Sequence, residues 1–79
     1  MLHCALMRVK KSWEGGERDA KRLAAVGCAE VAAEEAVRLD YFEIVNPDTL
    51  DPVDEAGPGT LVAVAAFVGP TRLIDNILL

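Results

Sequence analysis

Leu2, Leu6, Val9 and Trp13 follow one another at steps of four, three and four, which places them on one stripe of an α-helix. Arg8, Lys10, Lys11 and Ser12 fall off that stripe. Gly15-Gly16 then breaks the period, since glycine costs ~1 kcal/mol inside a helix and suits a C-terminal cap. The pattern predicts a first helix that stops there, with Trp13 anchored in the core. A second helix is predicted from about Glu17 to Glu35, with Glu17 and Asp19 in its first turn, where carboxylates suit the positive end of the dipole. Its buried face reads Ala20, Leu23, Ala24, Gly27, Cys28 and Val31, with Arg18, Lys21, Arg22 and Glu34 outside. Gly27 on that face predicts close approach of a neighbouring backbone. The two helices and their glycine link read as an αα-hairpin.

The period then drops to two. Leu39, Tyr41 and Val45 alternate with Asp40, Phe42 and Ile44, as in a strand rich in β-branched and aromatic residues. Asn46-Pro47-Asp48 ends it, because proline cannot donate to a ladder and Asn and Asp favour turns. Leu50 to Gly59 reads as a loop of prolines, glycines and acids. Leu61 to Val68 is an unbroken apolar run, short for a helix and predicted to be a strand covered on both faces. Gly69-Pro70 signals a turn. In the last segment Leu73, Ile77 and Leu79 share one face, and Arg72, Ile74, Asn76 and Leu78 the other. The expected fold is α+β: a two-helix layer on one face of a three-stranded antiparallel sheet, with Leu61–Val68 central.

Residues 1–79 carry no internal repeat, low-complexity linker or domain boundary and read as one domain. A domain this small buries only ~60% of the surface its unfolded chain exposes. With aromatic residues at only 5%, Ala, Val, Leu and Ile must fill the core. A piece shaped to pack on a larger body would leave apolar surface bare.

A net charge of −5 argues against nucleic acid as a partner. Six of the eight basic residues lie between Arg8 and Arg22, which reads as a solvated helix face, while Asp40 to Glu55 holds six carboxylates and no cation. Cys4 and Cys28 are too few for a zinc site, even with His3, and are expected to be buried free thiols. No apolar run reaches the ~20 residues that span a bilayer, and the apolar part of Met1 to Arg8 is too short for a signal peptide. A cytosolic location is expected.

Three blocks carry a resemblance: Leu39-Asp40-Tyr41-Phe42-Glu43-Ile44-Val45-Asn46-Pro47-Asp48-Thr49-Leu50, then Val62-Ala63-Val64-Ala65-Ala66-Phe67-Val68-Gly69, then Thr71-Arg72-Leu73-Ile74-Asp75-Asn76-Ile77. Their order and spacing resemble the C-terminal end of pantothenate synthetases (pantoate–β-alanine ligases), as does Gly16-Glu17-Arg18-Asp19-Ala20 before them. The resemblance runs from about Ala5 onward, and the Thr-Arg-Leu-Ile-Asp-Asn ending is its most specific part.

That resemblance implies an enzyme that joins pantoate and β-alanine, using ATP and magnesium, through a pantoyl-adenylate, with release of AMP and pyrophosphate. It implies cytoplasmic homodimers, a large N-terminal nucleotide-binding domain, and a small C-terminal domain that covers the active site as a lid. The family's His-Ile-Gly-His signature and the Ser-Ser-Arg-Asn stretch are both absent from these 79 residues. Pro70 stands where many members carry lysine or another polar residue. The chain is therefore expected to lack catalytic residues, to hold no metal or tightly bound cofactor, and to be inactive without the N-terminal domain.

Arg72 is the foremost candidate, because the matching arginine of the family reaches from the lid toward the active site. A guanidinium stays charged and offers a planar fork of donors to phosphate. Thr71 is its candidate companion on the same anion. The competing structural reading pairs Arg72 with Asp75 or an acid of the middle loop. Asp75 and Asn76 read as groups that satisfy backbone, and His3 has no partner. Asp40 and Glu43 are expected on opposite strand faces, unable to act as an acid–base pair. Tyr41, Phe42 and Trp13 are expected in the core. A stand-alone binding or dimerisation module with the same fold is the alternative to a lid, and an unrelated acidic regulatory domain ranks last.

Overall fold

The computed structural model describes residues 2–79. Helices α1 (Leu2–Glu14) and α2 (Ala20–Ala32) are followed by strands β1 (Val37–Val45), β2 (Leu61–Val68) and β3 (Thr71–Leu78). The strands form an antiparallel meander in the order β1-β2-β3. Both helices pack on one face of it, α2 against β1 and α1 against β2 and β3. The two-helix, three-strand fold expected from the periodicity is the one observed.

Helix α1 stops as its glycines require. Glu17 N–H donates to the Ser12 carbonyl at 3.1 Å and Gly16 N–H to that of Trp13 at 3.0 Å, which is the Schellman pattern. Gly16 takes the positive φ of 114° that this cap demands. Helix α2 is shorter than the predicted Glu17–Glu35 at both ends. Asp19 is its N-cap, in extended conformation, and its carboxylate accepts from Lys21 and Arg22 N–H. The residues before it are drawn out of the helix by the middle loop: Ala20 N–H donates to Asp54, and Ala56 N–H donates to Arg18. At the other end β1 already begins at Val37, two residues earlier than the alternation indicated, so residues 33–36 are needed for the turn.

The core lies between the layers. Leu6 and Val9 of α1, Leu23 and Val31 of α2, and Val62 and Val64 of β2 are its largest fully buried side chains. Trp13 and Phe42 pack against it half-buried. The Trp13 indole Nε1–H also donates to the carbonyl of buried Ala56 at 2.8 Å, pinning the middle loop to the end of α1. Cys4 is exposed, contrary to expectation, because it lies off the α1 stripe and Ala5 takes the buried position; Cys28 is half-buried. Gly27 meets a ring and not a backbone: the phenyl group of Phe42 fills the space over its Cα.

Two further expectations change on the sheet. No helix or strand among the described residues covers the outer face of β2. Ala65, on that face, is nonetheless fully buried, because it sits between Tyr41 and Ile74 in register and their larger side chains flank it. The strict alternation of β1 fails at Asp40, where the register slips between Leu39 and Tyr41. This bulge puts Leu39 in the helix-side row with Phe42 and Ile44, opposite Ala66, Val64 and Val62. The strand turn at Gly69-Pro70 has Gly69 at φ 59°, as a II′ hairpin requires of its first central residue.

Candidate functional site

The bulge decides what surrounds Arg72. Arg72 lies opposite Phe67 on the outer sheet face, and the extra residue Asp40 reaches it across β2. Arg72 Nε and Nη2 stand 3.2 and 3.1 Å from the same oxygen, Asp40 Oδ2. Its guanidinium also lies 5.8 Å from the centroid of the Tyr41 ring. Tyr41 is thus on the outer face beneath a cation, and not in the core as expected. Both partners of the ion pair are well exposed, at 44% and 38%, so the pair fixes geometry more than it adds stability.

The acid that meets Arg72 is neither Asp75 nor a member of the middle loop. Asp75 Oδ1 instead accepts the backbone N–H of its neighbour Asn76 at 2.8 Å, in keeping with a backbone-satisfying group. Thr71 begins β3 and is exposed, but opposes Val68 in the helix-side row. Adjacent strand residues project to opposite faces, so Thr71 and Arg72 do not share one. Asp40 and Glu43 do share a face, against expectation, because the bulge adds a residue between them. Asp40 is nonetheless engaged by Arg72, which leaves no acid–base couple. His3 lies exposed on α1.

Sequence reasoning passed over Arg38. It opposes Phe67 from β1, as Arg72 does from β3. Its guanidinium lies 5.0 Å from the Phe67 centroid. The outer face therefore carries a row Arg38–Phe67–Arg72 at one end. Toward the other end Ile74 and Leu78 are 59% and 57% exposed. Only the strand pairing reveals this row, since Arg38 and Arg72 are far apart in the chain.

The family model described as pantoate-beta-alanine ligase matches residues 1–78. The chain belongs to the pantoate–β-alanine ligase family. It is 54% identical over its whole length to a pantothenate synthetase of Koribacter versatilis, covering 27% of that protein. It is 42% identical over 78 residues to a bifunctional pantoate ligase/cytidylate kinase of a Synechococcus strain, covering 14% of it. A crystal structure of pantothenate synthetase from Thermus thermophilus superposes with a TM-score of 0.88 at 30% identity, over 96% of this chain and 27% of that one. The chain thus spans about a quarter of the pantothenate synthetases it matches, in their C-terminal part. No helix among the described residues is long and apolar enough to cross a membrane.

Proposed function

We propose that this chain is the lid of an ATP-dependent pantoate–β-alanine ligase, closing over a site carried by the rest of the protein. In this reading the complete enzyme is a cytoplasmic homodimer that makes pantothenate, AMP and pyrophosphate from pantoate, β-alanine and ATP. Arg72 faces the nucleotide's phosphates, while Thr71, expected as its companion, projects to the other sheet face and is left out of that contact. The observation that carries the reading is the outer sheet face, where Ile74 and Leu78 stand bare beside a guanidinium held in place by Asp40. Apolar side chains that exposed suit burial against another protein body. A lid of this kind excludes water and completes a constellation built elsewhere. A fixed guanidinium on it supplies positive charge where phosphate charge develops.

Among the described residues no three His, Cys, Asp or Glu side chains converge. These residues do not fit a magnesium site, and none is assigned a part in holding that ion. What the chain itself contributes is closure, one oriented cation and the exclusion of solvent.

The test is a chimera in which this chain replaces the matching 79 residues of the Koribacter versatilis enzyme. The chimera is expected to form pantothenate, and the 79-residue chain alone to form none. Arg72→Ala in the chimera should lower turnover by roughly a hundredfold, the order found for one lost oxyanion donor. A folded chimera without turnover overturns the reading. So does sedimentation showing the isolated chain as a tight dimer that added N-terminal domain does not disturb, which is the outcome for a stand-alone dimerisation module.

A further inference from the structure

The geometry points to Arg38, and not Arg72 alone, as the cation on this face that is free to take a phosphate group. This deepens the lid reading and rests on the same sheet face, but it concerns a residue that reading does not use.

The two arginines flank one ring and differ in charge compensation. Arg72 gives two of its N–H groups to Asp40, so a carboxylate already neutralises it. Arg38 forms no ion pair among the described residues. It is exposed, and its guanidinium lies over the ring of Phe67, 5.0 Å from the centroid. A guanidinium stacked on an aromatic ring has lost much of its side-chain freedom yet keeps its in-plane N–H donors available. Less ordering is then needed when those donors engage an oxyanion.

The place also has room. Arg38 and Phe67 line a notch of about 220 Å³ at the end of the sheet, together with Gly69 of the hairpin turn and Glu35, Ala36 and Val37. Gly69, without a side chain, leaves the approach from the turn open. Glu35 lines the notch without pairing with Arg38, and its carboxylate opposes an incoming anion. The notch offers a compact phosphate chain one guanidinium beside an aromatic ring, with the Glu35 carboxylate as the opposing charge. The two sources of that chemistry in an adenylating enzyme are the triphosphate of ATP and the released pyrophosphate.

The test uses the 79-residue chain, with inorganic pyrophosphate and ATP as separate probes, followed through the arginine Nε–H signals by NMR. Addition of either probe is expected to shift Arg38 more than Arg72. Arg38→Ala should weaken binding roughly tenfold, the loss of one charge-assisted contact, and Arg38→Lys should restore part of it. Glu35→Gln should tighten binding. If pyrophosphate binds more tightly the site serves the product, and if ATP does, the nucleotide. Arg38→Gln, folded by its backbone spectrum, replaces any alanine variant that fails to fold. Signals of Arg38 unmoved by either probe, or binding indifferent to Arg38→Gln, overturn the inference. Binding lost with Arg38 in an isolated chain whose chimera is inactive would sink the lid and keep the site. An active chimera with no binding at Arg38 would do the reverse.

Discussion

The ring of Phe42 on β1 occupies the space that a β-carbon on Gly27 of α2 would need. Helix and strand therefore meet at a distance that only a hydrogen on Gly27 allows. The contact sets how closely the second helix lies on the sheet.

Gly27→Ala should destabilise the fold despite alanine's better helix propensity of ~1 kcal/mol. Overpacking of a filled core costs roughly 1–3 kcal/mol, and here the obstacle is the outer edge of a rigid ring, Cζ, Cε1 and Cε2 of Phe42. A lower urea midpoint is expected, with partial recovery in Gly27→Ala combined with Phe42→Leu. A variant as stable as the parent would show that the ring moves aside freely.

Trp13→Phe keeps most of the apolar contact of the indole and removes its N–H. The carbonyl of buried Ala56 then loses its 2.8 Å donor, and an unsatisfied buried group costs about 1–3 kcal/mol. Thermal unfolding should fall accordingly. Faster proteolysis within residues 50–59 is expected as well, because that bond ties the middle loop to α1.

Asp40→Asn should change stability by less than ~1 kcal/mol, because the ion pair it breaks is exposed. In the chimeric ligase the same change frees Arg72 from its partner, so a kinetic effect well beyond the stability effect is expected. Rescue by Asp40→Glu would identify Asp40 as the residue that positions the guanidinium. Equal losses of stability and rate would instead mark it as structural.

The two thiols should react at different rates. Cys4 is exposed, and Cys28 is half-buried on α2, where burial pushes its thiol above its ordinary value of 9.0. The thiolate is the nucleophile, so Cys28 holds less of it at neutral pH. Alkylation followed by mass spectrometry should label Cys4 first, with Cys28 catching up as the pH rises through its raised value. For stability the sign is the same. The contribution of the neutral Cys28 thiol is complete below the unfolded value and is lost as pH rises through the higher folded one.

The elements of this protein are written in its local pattern. The stripe Leu2-Leu6-Val9-Trp13, the glycine stop at Gly15-Gly16 and the two apolar strands after Asn46 were each legible, because periodicity and turn chemistry act between near neighbours. The family was legible too, from three blocks of wording. Tertiary structure decided how those elements pair. Whether a strand holds a bulge depends on the register of the chain beside it, so the slip at Asp40 has no local signature. That slip turns Leu39 inward, keeps Asp40 beside Tyr41 on the outer face, and gives Arg72 its partner. The same pairing brings Arg38 and Arg72 to either side of Phe67. Side chains so distant in sequence become neighbours only when the meander closes, which is why the helices and strands could be read in advance and the arginine row could not.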